Sequence, residues 1–319
     1  MSVARLFDVT IVGELNLDLI LSGLPEELPP ERELLATDLT LTLGSSSAIT
    51  AHNLAILGSR VGFISRIADD PMGAMSLERL AASGVDVSRV KKAGGATPTG
   101  LTVILPHANF RNILTYPGTM HELCFEDLDL DYLSSARHFH LSSFFLHRAL
   151  LPNMVKLFTT MKNAGLSTSL DINDDPEDRW DSGLRQVLPR VDVFFLNERE
   201  LTKVAGEEDF QKALEQISRL AKVLVVKRGA KGALARRGSE ELERPAAAVE
   251  AVDPVGAGDS FNAGFLHRFV QGADLASCLE FGNLAGAFST TRPGGTEAFR
   301  NREHFEQFFS GHRRSGAIA

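Results

Sequence analysis

Apolar runs of strand length alternate with helical patterns along most of this 319-residue chain, and that alternation limits the folds open to it. The runs fall at residues 7–13, 61–65, 101–105, 138–141, 167–171, 191–196 and 223–227. Helix-spaced apolar residues occupy 47–57, 72–82, 150–163, 209–221 and 275–290. Strand, helix, strand in series favours crossover units, which set strands parallel and cover both sheet faces with helices. The expected fold is therefore α/β, a mainly parallel central sheet flanked by helices. Ligands of such folds sit beyond the carboxyl ends of the strands.

Two segments break the rhythm. Residues 15–44 hold a proline-rich turn, Leu24-Pro25-Glu26-Glu27-Leu28-Pro29-Pro30, and then the alternating run Leu39-Thr40-Leu41-Thr42-Leu43. Residues 95–118 carry extended runs at 100–105 and 111–116 around a polar turn at 106–110, which is a hairpin pattern. These segments are expected to form a small β lid inserted in a main domain of residues 1–14, 45–94 and 119–310. Residues 311–319 read as a frayed tail. An exposed lid face suggests a homodimer paired through it.

The charge balance excludes some functions. With 33 Lys and Arg against 41 Asp and Glu, and no basic run, the chain lacks the positive surface that nucleic acid needs. Its two cysteines, Cys124 and Cys278, form no CxxC, which argues against a disulfide framework or a thiolate zinc site. No secretory pattern and no bilayer-length apolar run occur, so a cytoplasmic protein without a membrane partner is expected.

The strongest local signal is Asp253-Pro254-Val255-Gly256-Ala257-Gly258-Asp259-Ser260-Phe261-Asn262-Ala263-Gly264. An extended, proline-containing segment runs into a Gly-Ala-Gly turn, and a helix starts near Asp259. Helix starts present backbone N–H groups with partial positive charge, and small residues let a phosphate approach them. A carboxylate in that first turn is placed to take a hydroxyl proton during attack on a phosphate. Taken alone, the same residues also read as a turn with a helix cap.

At this point the sequence resembles the ribokinase-like (PfkB) carbohydrate and nucleoside kinases, and DPVGAGDSFNAGF resembles their C-terminal signature. Further stations follow in the same order. They are Gly13-Glu14-Leu15-Asn16-Leu17-Asp18, the stretch from Gly44 to Gly58, Asp69-Asp70-Pro71-Met72-Gly73, Asn197-Glu198-Arg199-Glu200 and Lys227-Arg228-Gly229-Ala230-Lys231-Gly232. The resemblance covers nearly the whole chain. Departures stand at Ser45, where a second glycine is usual, at Ile49, where Asn is usual, and at Pro254, where Thr is common.

The resemblance implies ATP-dependent phosphorylation of a hydroxyl on a small sugar or sugar derivative. Asp259 is then the base, and the backbone of Gly256, Ala257 and Gly258 is the anion hole. Asn16, Asp18, Gly44, Ser45, Arg111 and Asn173 are the implied acceptor residues. Asn197, Glu200, Lys227, Gly229 and Asn283 are the implied nucleotide residues, with Glu200 reaching magnesium through water. Related kinases hold potassium through backbone carbonyls, and the matching positions are Asp253, Val255, Ser289, Arg292 and Gly294. Plainer readings stand beside these. Asn197 and Glu200 also read as a capping box, Asp18 as a turn residue, Arg111 as a solvated side chain and Asn173 as a loop turn. His138, His140 and the phenylalanines Phe144, Phe145, Phe308 and Phe309 read as packing residues.

Other enzyme classes fit poorly. The first strand is not followed by GxGxxG, and GxxxxGK[ST], HExxH and GxSxG are all absent. Within the family, a nucleoside or a sugar acid such as 2-keto-3-deoxygluconate are alternative acceptors. A non-catalytic sugar- or nucleotide-binding protein is the alternative of another class; intact Asp259 argues against it.

Overall fold

The computed structural model describes residues 5–107 and 110–314. Its strands in chain order are β1 (Phe7–Val12), β2 (Leu17–Ser22), β3 (Asp38–Leu43), β4 (Val61–Ile64), β5 (Arg66–Ala68), β6 (Lys91–Ala93), β7 (Leu101–His107), β8 (Phe110–Tyr116), β9 (Ala136–Leu141), β10 (Ser167–Asp171), β11 (Val193–Asn197), β12 (Val223–Lys227), β13 (Ala233–Arg237) and β14 (Glu240–Arg244). Eight of them form one sheet in the order β14-β13-β12-β11-β10-β9-β1-β4. From β4 to β12 neighbours are parallel, and β13 and β14 add an antiparallel margin.

The parallel strands read as continuous apolar runs because helices bury both faces. Along β11, Val193 and Phe195 pack in one core, and Phe194 and Leu196 pack in the other. Period-two alternation thus feeds two apolar layers from one strand. The register sets Val12 beside Ile64 and Leu141, Asp171 beside Phe195, and Asn197 beside Lys227. The carboxyl ends therefore share one edge, and that edge carries Asp171, Asn197 and Lys227.

A separate four-stranded sheet has the order β3-β2-β7-β8. Leu101–His107 belongs to it and not to the central sheet. Leu17–Ser22 is a strand of its own, so Asp18 lies inside β2 and does not end the first strand. One face of this sheet turns inward, where Ile20 and Ile104 pack on Val255. The polar turn expected at 106–110 lies partly outside the described residues. The expected tail begins as helix, since Arg302–Arg314 continues to its end, and residues 315–319 lie outside the described residues. No helix among the described residues is long and apolar enough to cross a membrane.

His138 and His140 lie inside β9, fully buried. Their imidazoles join a hydrogen-bonded series, Ser167–His138–Ser169–His140–Ser142, with contacts of 2.7–2.8 Å. Burial opposes charge on either ring and pushes both down to about 3. A histidine held below its unfolded value near 6.5 contributes stability above that value and loses it as pH falls towards the folded value. A His138→Gln variant should therefore lose its disadvantage against the parent protein as pH falls. Urea unfolding at pH 7 and pH 5 should show the gap between the two narrowing by about 2 kcal/mol.

Candidate active site

The helix Ala257–Val270 starts beyond the carboxyl ends of the central strands, and Asp259 stands in its first turn. Gly256 caps it with φ 72°, and a Cβ there would meet Gly295 Cα at 2.4 Å, so only glycine fits. The Ala257 N–H donates to Pro254 O at 3.2 Å, which closes the turn and leaves the following N–H groups as the helix-start donors. A Cβ on Gly258 would stand 3.4 Å from Lys227 Nζ, so a cationic side chain borders this cradle.

A second helix, Ser46–Ile56, holds the first one in place. Ser46 Oγ donates to Asp259 Oδ1, and Thr50 Oγ1 donates to the Asp259 carbonyl at 3.3 Å. One turn further on, Asn53 Nδ2 donates to Ser260 Oγ at 2.9 Å and to Gly295 O at 3.0 Å. Ser46, Thr50 and Asn53 recur at helical spacing and so share one face. Ile49 lies beside them, packed on Gly295 and Gly256.

Charge is concentrated here. Lys227 pairs with Asp171, which also accepts from Asn262 Nδ2. Burial alone would lower the Lys227 ammonium, but Asp171, Glu200 and Asp259 more than reverse that, and it stays raised. Burial raises the Asp259 carboxyl to about 7; Asp171 and Glu14 add to this, while Lys227 and the Ser46 hydrogen bond oppose it. Glu200 is likewise raised to about 7, by burial first and then Asp171, against Lys227. Asp18 is raised to about 7 by burial, reinforced by Asp259, Asp253 and Glu14. Carboxylates crowded to this degree favour a cation, so the donor set fits magnesium arriving with a nucleotide.

Asn197 and Glu200 form the expected capping box. Asn197 Oδ1 accepts from Glu200 N at 2.8 Å, and Glu200 Oε2 accepts from Asn197 N at 2.8 Å. Asn16 and Asp18 are both buried. Asn16 N donates to Ser45 Oγ at 2.9 Å, and the Ser45 hydroxyl returns a bond to Asn16 Oδ1, with Ser45 at φ 68°. Gly44 lies against the Asp18 carboxylate, so a side chain there would displace it. Asn173, at φ 54°, donates from Nδ2 to Ser143 Oγ at 2.9 Å.

Other residues stand apart. Arg111 shares a sheet face with Asp18, but it is exposed on β8, two strands over and four residues beyond Thr115, which lies in the row of Asp18. That places it about 10 Å across and about 14 Å along from Asp18. Asn283 spends its amide hydrogens on Arg244 O and Pro245 O, both at 3.0 Å, tying its helix to the end of β14. Gly229 opens the turn after β12 at φ 56°. Asp253 accepts from Val255 N at 3.0 Å and Gly294 N at 2.8 Å, which draws those two loops together beside Ser289, while Arg292 is exposed. Among the described residues no three His, Cys, Asp or Glu side chains cluster as metal ligands.

Sequence reasoning passed over Glu14, Ser46, Asn53, Asp171 and Asn262 as site residues. All five lie within stretches already singled out, and only their contacts reveal what they do.

The fold and this edge of the sheet describe a ribokinase-like α/β protein with a separate small sheet. The pfkB family carbohydrate kinase profile matches residues 7–302, and the chain belongs to that family of carbohydrate kinases. It is similar to a 2-dehydro-3-deoxygluconokinase of Bacillus subtilis, 29% identical over 286 residues that cover 85% of this chain and 87% of that protein. The crystal structure of an adenosine kinase from Sinorhizobium meliloti is 25% identical and superposes with a TM-score of 0.80, over 91% of this chain and 95% of that one. A ribokinase II from E. coli in complex with ATP and Mg2+ is 25% identical with a TM-score of 0.83, over 96% of this chain and 100% of that one.

Replacing Asn53 with Ala removes three buried hydrogen bonds, including the 2.8 Å contact of its Oδ1 with His52 Nδ1, and leaves the Gly295 carbonyl short of a donor. The variant should be less stable by about 2–3 kcal/mol in urea unfolding.

Proposed function

We propose that this carbohydrate kinase uses ATP to phosphorylate a hydroxyl of a small sugar or sugar derivative. The observation that carries the reading is Asp259 itself: a carboxylate in the first turn of a helix, beside a glycine cradle and Lys227. Asp259 takes the proton of the acceptor hydroxyl as its oxygen bonds to the γ-phosphorus. The bond from that phosphorus to the β–γ bridging oxygen breaks, and ADP leaves. Backbone N–H groups of Gly256 and Gly258, with Lys227, carry the negative charge of the transferred group; that of Ala257 is engaged by Pro254 O. Asn197 and Glu200 hold the magnesium waters, Gly229 and Asn283 border the adenine, and magnesium supplies charge neutralisation on the phosphates. Asn16, Asp18, Gly44, Ser45 and Asn173 hold the acceptor, and Arg111 reaches an anionic acceptor only if the small sheet closes.

A sugar acid is favoured by the Bacillus relative, which is named for one. A nucleoside is the second reading, favoured by the likeness to an adenosine kinase. Backbone carbonyls of Asp253, Val255, Ser289, Arg292 and Gly294 form the proposed potassium site, so exchanging potassium for sodium should slow turnover. The cytoplasm, where ATP is abundant and Cys124 and Cys278 stay unpaired, is the proposed location.

Residues 15–44 and 95–118 are the proposed lid over the site. Its outer face aligns Leu41, Leu19, Val103 and Leu114 in one row, with Leu39, Phe110 and Tyr116 exposed on the same side. A second copy is its proposed cover. Light scattering should give twice the chain mass, with Leu114→Lys shifting it towards one; a monomeric parent protein would end this proposal.

ADP release should be assayed with ATP and magnesium against ketoses, aldoses, sugar acids and nucleosides, with Asp259→Asn alongside. The active acceptor names the substrate class, and the variant should lose at least about a thousandfold in kcat. Turnover that survives the substitution removes Asp259 from the role of base; ligand binding without turnover supports the non-catalytic reading. Because the base must be ionised, kcat/KM should rise with pH through about 7, a limb that belongs to Asp259 and Asp18 together. Lys227→Met removes the positive charge that lowers the Asp259 pKa and should move the limb to higher pH.

A further inference from the structure

Glu14 has no part in the phosphoryl transfer just described, yet it is a buried acid at the floor of the site. Four donors converge on it. Ser47 gives its hydroxyl to Oε2 at 2.7 Å and its N–H to Oε1 at 3.2 Å. Ser143 gives its hydroxyl to Oε1 at 2.7 Å, and His147 Nε2 lies 3.3 Å from Oε2. His147 Nε2 also faces the Ser142 carbonyl at 3.2 Å, so it carries a hydrogen in either protonation state. Burial opposes ionisation, but the hydrogen bond and charge of His147 and the Ser143 hydrogen bond outweigh it and hold the Glu14 carboxyl at about 2.

An ionised carboxylate only accepts. Ser143 has one hydroxyl hydrogen, and Glu14 takes it. The Ser143 oxygen can then only accept from its other neighbour, which is the Asn173 amide at 2.9 Å. That requires the NH2 end of Asn173 to face Ser143, which turns its carbonyl oxygen the other way. The left-handed backbone at Asn173 and its N–H bond to Asp171 Oδ1, at 3.3 Å, fix the side chain's origin. The direction of two hydrogen bonds in series thus follows from one buried charge.

We propose that Glu14 is a positioning residue that sets the polarity of the series Glu14–Ser143–Asn173, so that Asn173 offers the phosphoryl acceptor a carbonyl oxygen. This rests on the reading of Asn173 as an acceptor-site residue. A carbonyl oxygen only accepts, so this part of the site selects hydroxyl donors and disfavours an anionic group of the acceptor. Asn173 therefore serves a sugar hydroxyl and not a phosphate or carboxylate. A glutamine at position 14 would aim an NH2 group at donors, and the series would lose its single direction.

Two measurements test this. The side-chain amide signals of Asn173, identified by their loss in Asn173→Ala, should move in Glu14→Gln and in Ser143→Ala by two-dimensional NMR of the protein without ligands. Signals that stay in place in Ser143→Ala overturn the proposal, and that variant keeps the test open if Glu14→Gln does not fold. Steady-state kinetics with the acceptor found in the panel form the second arm. Glu14→Gln, Ser143→Ala and Asn173→Ala should each raise the acceptor KM by about tenfold, with the ATP KM unchanged. Combining Ser143→Ala with Asn173→Ala should cost no more than Asn173→Ala alone, and multiplying losses overturn the shared series. If no acceptor turns over, the kinase assignment of these residues fails, and the amide signals alone decide whether Glu14 sets the polarity.

Discussion

Lys227 is the ammonium on which the carboxyl edge of the sheet depends. It faces Asp171, Glu200 and Asp259, three carboxylates brought together by three separate stretches of chain. Their mutual repulsion in a desolvated site is a large cost, and a single buried cation offsets only part of it. Burial first, and neighbouring carboxylates after it, raise the pKa of Asp259, Glu200 and Asp18, all to about 7. A site in that condition is ready for more positive charge. In a carbohydrate kinase the natural source is the metal that accompanies the nucleotide.

The same edge is built by a small number of helix contacts. The helix Ser46–Ile56 grips the helix Ala257–Val270 through Ser46, Thr50 and Asn53, while Glu14 grips the start of that gripping helix through Ser47. Thr42, on the small sheet, donates to Glu297 at 2.7 Å, and Ile20 and Ile104 rest on Val255. The helix Ser46–Ile56 and the small sheet are therefore both joined by direct contacts to the stretch from Val255 to Ser260. Movement of any of these elements is felt at Asp259.

Much of this was legible beforehand because the signals are local. Asp259 announced itself by sitting between two glycines and a helix, and Asn197 with Glu200 by their capping spacing. The parallel strands were readable because burial on both faces makes them continuous apolar runs. Leu17–Ser22 was harder to separate, since it follows the first strand after only four residues, Gly13 to Asn16. β13 and β14 carry exposed charges, which hides an edge hairpin from any hydrophobic pattern.

The residues passed over have no local signature. Glu14 looks like an ordinary acid in a turn, and its four donors come from positions 47, 143 and 147. Asp171 ends a strand as many aspartates do, and only the sheet register places Lys227 two strands away beside it. Arg111 carries the right chemistry for an anion, but sheet geometry holds it far from Asp18. By itself the sequence determined the α/β class, the presence of a small separate sheet and the kinase family, and it singled out Asp259 at a helix start, because periodicity and turn chemistry act between near neighbours. Only the tertiary structure decided which buried charges meet and which way the hydrogen bonds run, because desolvation and pairing depend on distances that no sequence separation encodes.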